Sequence, residues 1–127
     1  MSKYVLDSSA ILAFLNDEPG TERVAEALEE AVVSTVNISE VITKLIDAGI
    51  PEEQIKLVLG YLSCEIESFN LEDAWQSAKF RLITRGRGLS LGDQACLSLA
   101  LKLGLPVLTA DRVWSSLALE IEVQVIR

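Results

Sequence analysis

Four acidic residues stand where a folded chain would bring chemistry together. Asp7 and Asp111 each close a short apolar stretch, Tyr4-Val5-Leu6 and Val107-Leu108-Thr109, that reads as a buried strand. Glu40 and Asp93 each fall in the opening turn of a stretch with helical apolar spacing. In an open parallel sheet, sites form in the crevice beyond the carboxyl ends of the strands, so all four acids could point into one pocket. Carboxylates at the ends of apolar elements lose solvation unless something positive lies between them, and a divalent metal ion would serve. The chain has no histidine, which excludes Ser/His and Cys/His nucleophile pairs, HExxH zinc sites and histidine general bases. Acid-base or metal chemistry must then come from carboxylates, which select hard cations such as Mg²⁺ or Mn²⁺.

Each acid also has a plain structural reading. Ser90-x-x-Asp93 resembles a capping box, Asn37-x-x-Glu40 pairs an N-cap residue with an acid three positions on, Asp111 could cap a last helix, and Asp7 could merely precede one. The set is harder to dismiss than its members. Asp7 and Asp111 end apolar strands whose following turns Ser8 or Thr109 would cap equally well, and an uncompensated buried carboxylate is costly.

The elements that must position these acids are organised around residues 89–111. Apolar residues there cover nearly every face of a helix, which predicts burial; Gly104 stops the helix and Pro106 leads into the strand Val107-Leu108-Thr109. Earlier, residues 3–7 form a strand, Ser8-Ser9 cap a helix over 10–15, a second helix covers 21–31, and a β-branched strand covers 32–36. Asn37 opens a helix to about Asp47, Pro51-Glu52-Glu53 starts another to about Leu62, a weak strand spans 64–69, and a long helix spans 71–85. A short helix over 112–118 and a strand over 121–126 close the chain. Strands alternating with helices, with no repeat or linker, predict a single domain over residues 1–127. Its class is α/β, a three-layer α/β/α arrangement around a parallel sheet of about five short strands.

Composition agrees. The 127 residues are half hydrophobic, with mean hydropathy +0.33, which excludes disorder. No apolar run approaches a membrane span and no leader is evident, so the chain reads as a soluble, unprocessed cytoplasmic protein. Cys64 and Cys96 make no disulfide framework or metal cluster. A net charge of −8 argues against broad wrapping by nucleic acid, yet bound cations would reverse the local field where a phosphate arrives.

Asp7-Ser8-Ser9-Ala10, Val36-Asn37-Ile38-Ser39-Glu40-Val41, Leu91-Gly92-Asp93-Gln94-Ala95 and Leu108-Thr109-Ala110-Asp111 resemble, in order and spacing, the motifs of the PIN-domain family. The closing Leu-Pro-Val-Leu-Thr-Ala-Asp-Arg-Val-Trp is similar to its VapC toxin branch. The resemblance spans the whole chain. It implies a metal-dependent ribonuclease held in check by an antitoxin protein encoded beside it. It also implies that Asp7, Glu40, Asp93 and Asp111 are the catalytic and metal-binding quartet, with Ser8 and Thr109 as supporting hydroxyls.

For such a reaction, paired divalent ions can activate a water, relieve phosphoryl charge and stabilise the leaving oxygen. Asp7 and Asp93 are then the innermost ligands, Glu40 completes the first ion site, and Asp111 serves the second directly or through water. In-line attack leaves a 5′-phosphate and a 3′-hydroxyl. Arg85, Arg87 and Arg112 abut the acids and are candidates for RNA phosphates, whereas Lys79 and Arg81 also fit a solvated helix face. A narrow acidic crevice suits single-stranded or looped RNA. Trp75 and Trp114 are left as core or interface residues. Val24, Leu28, Ile55, Val58, Leu59 and Leu62 are either ordinary core or a face for an antitoxin segment or a homodimer, partners that the resemblance favours.

Rival readings are weaker. A receiver domain needs a lysine at a late strand end, where Thr109-Ala110-Asp111 stands, and a HAD-type phosphatase needs Asp-x-Asp where the chain has Asp7-Ser8-Ser9. A non-catalytic PIN-like module that binds RNA or a protein partner remains the alternative.

Overall fold

In the computed structural model, residues 1–84, 88–112, 114 and 120–127 are described. The strands are β1 (Tyr4–Leu6), β2 (Ala31–Ser34), β3 (Glu65–Glu67), β4 (Val107–Thr109) and β5 (Val123–Val125). They form one sheet in the order β3-β2-β1-β4-β5, and every pairing is parallel. The helices are α1 (Ser8–Leu15), α2 (Thr21–Ala27), α3 (Thr35–Asp47), α4 (Glu52–Tyr61), α5 (Leu71–Thr84) and α6 (Leu91–Leu103).

Successive residues of a strand face opposite sides of the sheet, so the three central strands β2, β1 and β4 each feed two cores. Leu6, Val33 and Leu108 pack with Ala10, Ile11, Val24, Val41 and Ile55 from α1 to α4. Val5, Val32 and Val107 pack on the other side with Phe80 of α5, with Cys96, Leu97 and Ala100 of α6, and with Trp114. That is the three-layer α/β/α arrangement expected, with near-continuous apolar strands covered on both faces.

Strand order explains where a site can form. The chain leaves central β1 toward β2 and β3, then returns to place β4 on the other flank of β1. The carboxyl ends of β1 and β4 therefore border the topological switch point, and Asp7 and Thr109 lie there.

Several boundaries differ from the sequence reading. The helix expected from Ala10 begins at Ser8 with Asp7 in the N-cap position, so Ser8 and Ser9 lie inside it rather than capping it. The helix expected over 21–31 ends at Ala27 and tightens into a 3-10 turn, Leu28–Glu30, before β2. Helix α3 starts at Thr35, with Ser34 Oγ accepting the Val36 N–H at 3.2 Å, so Asn37 is not its opening residue. Local capping there overrides the strand propensity of Val36. The core of α6 is buried as expected, but Leu91, Leu101 and Leu103 at its ends are exposed. The expected helix over 112–118 falls largely outside the described residues. Among the described residues, no helix is long and apolar enough to cross a membrane.

Candidate functional site

Asp7 leaves β1 and makes no side-chain cap to α1. Its carboxylate is turned into the protein, 3% exposed, where Oδ2 accepts hydrogen bonds from Ser9 Oγ at 2.6 Å and Thr109 Oγ1 at 2.9 Å. The two hydroxyls also hold the end of β4: Ser9 Oγ accepts the Ala110 N–H at 2.9 Å, and Thr109 Oγ1 accepts the Asp111 N–H at 3.0 Å.

Glu40 lies in the second turn of α3, too far along to share a capping box with Asn37. Its Oε1 instead accepts Ser8 Oγ at 2.9 Å and Asn37 Nδ2 at 3.0 Å. Asp93 does cap its helix. Ser90 Oγ accepts the Asp93 N–H at 3.1 Å, and Asp93 Oδ2 accepts the Ser90 N–H at 3.0 Å, completing the expected box. The structural reading of Asp93 is thus correct but incomplete, since its partly buried carboxyl also feels the other acids.

The electrostatics tie the four together. Burial pushes the Asp7 carboxyl up from 3.8 to about 6, against the lowering effect of the Ser9 and Thr109 hydroxyls and helped by the charges of Asp93 and Glu40. Asp93 is likewise raised, first by burial, then by Glu40 and Asp111, while its bonds to Ser90 oppose the shift. Beneath them the Cys96 thiol is raised well above its usual value by complete burial and by the charges of Asp7, Asp93 and Glu40. It is a packed apolar residue with no thiolate character, as its place on α6 suggests.

A common pattern marks Asp7, Glu40 and Asp93. Among the described residues, every hydrogen bond to these carboxylates falls on one oxygen of each, Oδ2, Oε1 and Oδ2, which leaves the second oxygen without a protein donor. Nor does any ion pair between described residues involve them. Three carboxylates, one buried and two partly buried, fit a divalent cation by donor type and charge. Enclosure is a different matter. Among the described residues, no group of three or more acidic or cysteine side chains is arranged to hold a metal ion as it stands. The electrostatic coupling and the open geometry are compatible, because charges act over several ångströms whereas ligands must close to about 2 Å.

The remaining expected residues divide. Ser8 donates to Glu40 and Thr109 to Asp7. Arg112 is exposed, and its Nε donates to the Arg127 carbonyl at 3.0 Å. Arg85 and Arg87 lie outside the described residues. Lys79 and Arg81 are solvated on α5. Trp114 is core, at 1% exposure, whereas Trp75 is two-thirds exposed. Val24 and Leu28 are buried in the core and offer no docking face, whereas Ile55 and Leu59 line an apolar groove between α3 and α4 together with Ile42, Ile46 and Ile50. Sequence reasoning missed three contributors: Ser9, Asn37 and Gly92. A side chain at Gly92 would overlap the Glu40 carboxylate, so only glycine leaves that carboxylate its place.

Comparison with known proteins bears on this arrangement. The family model for the PIN domain matches residues 4–119. By sequence, the chain matches none of the curated proteins. Among solved structures it is similar to the DNA-bound VapBC of Salmonella typhimurium, at 22% identity and TM-score 0.78 with all of both chains covered. It is similar also to VapBC2 of Rickettsia felis bound to a promoter DNA fragment, at 15% identity and TM-score 0.75, over 95% of this chain and 96% of that one. The VapC20 toxin of Mycobacterium tuberculosis, described as cleaving the sarcin-ricin loop, matches at 14% identity and TM-score 0.73, over 94% and 99% of the two chains. With a family model covering nearly its whole length and a fold shared with VapC toxins, the chain belongs to the PIN-domain family.

Proposed function

We propose that the protein is a divalent-metal-dependent endoribonuclease, the toxin of a type II toxin-antitoxin pair acting in the cytoplasm. It hydrolyses RNA phosphodiester bonds to leave a 5′-phosphate and a 3′-hydroxyl. The observation that carries this reading is the set of Asp7, Glu40 and Asp93, each pinned through one oxygen and each with the other oxygen unspoken for among the described residues. Asp111 adds its charge to the same cluster. A bound Mg²⁺ or Mn²⁺ supplies charge relief on the phosphoryl oxygens and acidifies a water.

The chain's own contribution is orientation. Asp7, Glu40 and Asp93 hold the cation, with Asp111 beside it. Ser8, Ser9 and Thr109 fix the carboxylates so that little reorganisation is needed when the ion arrives. Burial of Asp7 removes its carboxylate from water, which strengthens that residue's attraction for a cation. Arg85, Arg87 and Arg112 follow or precede the acids in sequence and serve the phosphates of a single-stranded or looped RNA. The printed description of VapC20 as a sarcin-ricin loop cleaving toxin supports RNA as the substrate class.

The same relatives support an antitoxin partner, since several were solved as toxin-antitoxin complexes. The groove between α3 and α4 and the exposed Leu71, Trp75 and Leu82 on α5 are apolar surfaces suited to an antitoxin segment and a homodimer contact. The rival, a non-catalytic binding module, is favoured only by the open arrangement of the acids. Cleavage of total RNA by the purified protein decides between them. Activity with Mg²⁺ or Mn²⁺, lost with chelator and in a folded Asp93→Asn variant, with 5′-phosphate product ends, supports the nuclease. RNA binding without cleavage in any metal supports the rival.

A further inference from the structure

Asn37 is fully buried, at 0% exposure. Nδ2 donates to Glu40 Oε1 and to the Gly92 carbonyl, both at 3.0 Å, while Oδ1 has no hydrogen-bond partner among the described residues. Both neighbours of Nδ2 are acceptors, so the orientation of the amide is forced. A buried carbonyl oxygen left without a donor destabilises the fold, and an apolar side chain of the same shape would avoid that loss.

Neither partner requires the amide for its own satisfaction. Glu40 Oε1 also accepts Ser8 Oγ, and the Gly92 carbonyl, in the first turn of α6, is an acceptor in the helix ladder. What the amide accomplishes is to tie a carboxylate on α3 to the first turn of α6, next to Asp93. Gly92 completes the seat, because any Cβ there would overlap both Glu40 oxygens.

We propose that Asn37 is a positioning residue that clamps the Glu40 carboxylate over the bare Cα of Gly92, so that Glu40 and Asp93 are offered to one divalent cation as a fixed pair. This rests on the ribonuclease reading, and it gives a reason for keeping at this buried position an amide whose Oδ1 meets no donor among the described residues.

The test measures thermal midpoint and Mn²⁺ affinity for the full chain as wild type, Asn37→Leu, Glu40→Gln and the double variant. Asn37→Leu melts at or above the wild-type temperature yet binds Mn²⁺ about 10- to 100-fold more weakly, the usual effect of losing a residue that orients a ligand. Because Asn37 acts through Glu40, the double variant binds no more weakly than Glu40→Gln alone. Wild-type affinity in Asn37→Leu, or losses that add in full, overturns the proposal. Gly92→Ala keeps Asn37 but displaces the Glu40 carboxylate, so it shows the same affinity loss and the same lack of additivity; wild-type affinity there overturns the clamp even if Asn37→Leu does not fold. A wild-type protein that takes up no Mn²⁺ overturns the ribonuclease reading as well, whereas uptake indifferent to both variants overturns the clamp alone.

Discussion

Thr109 Oγ1 donates to Asp7 Oδ2 at 2.9 Å across 102 positions of sequence. The contact follows from register. Val5 pairs with Val107 and Leu6 with Leu108, so Asp7, the residue after β1, comes level with Thr109, the last residue of β4, at the switch point. Replacing Thr109 by valine keeps the shape and deletes the donor. A hydrogen bond to an ionised group contributes about 1.5–3 kcal/mol, so its loss raises the Asp7 carboxyl by roughly one to two further units. The acidic limb of the RNA-cleavage profile should move to higher pH by that amount in Thr109→Val. A limb that stays in place, measured over pH 5–8, contradicts the role given to this hydroxyl.

Asp7 should also set a pH dependence of stability, opposite in sign to the usual carboxylate. Its folded value, about 6, lies above the unfolded 3.8, so between these limits the folded chain binds more protons than the unfolded one. This group's contribution to stability is therefore fully present below about pH 4 and lost as pH rises to 6, on the order of 3 kcal/mol for a shift of this size. Asp7→Asn removes the penalty. Denaturant melts of metal-free protein should find Asp7→Asn more stable than wild type at pH 7.5, with the gap closing toward pH 4.5. A variant less stable than wild type at pH 7.5 rules this out.

Gly20 is constrained by the end of the chain. Its φ is +98°, and a Cβ there would stand 2.7 Å from the Ile126 carbonyl oxygen. Nearby, Arg23 reaches Gln124 at 2.8 Å and Arg127 reaches Glu18 at 2.9 Å, so the turn before α2 and the segment after β5 are tied together. Gly20→Ala should cost about 2 kcal/mol of stability through backbone strain and the clash. It should leave cation affinity unchanged, because Gly20 touches none of the acids. Unfolding by denaturant measures the first, and an unaltered midpoint refutes it.

The three-layer architecture was legible because the central strands β1, β2 and β4 lie in short β-branched or leucine-containing runs that give way to helix starts or follow a proline. The acids were legible because two of them terminate such runs. Boundaries failed where capping competes with propensity: Val36 reads as strand, yet Ser34 captures its N–H and starts α3 early. That error moved Asn37 from the interior of a helix to its edge, and with it hid the amide that grips Glu40. Ser9 was hidden for another reason. Its second partner, Ala110, is 101 positions away, and no local pattern encodes a hydrogen bond between the ends of two strands whose adjacency depends on sheet order. The groove was legible only in part: Ile55 and Leu59 of α4 line it, whereas Val24 and Leu28 are core, because periodicity shows that a helix is amphipathic but not which neighbours bury it.

Direct titration of Mg²⁺ or Mn²⁺ into the purified chain at pH 7.5, followed by calorimetry, tests the central claim most closely. Saturable uptake by wild type that disappears in a folded Asp7→Asn variant is the expected result. No uptake by wild type, or equal uptake by both proteins, would contradict the account of Asp7, Glu40, Asp93 and Asp111 as one cation-binding centre.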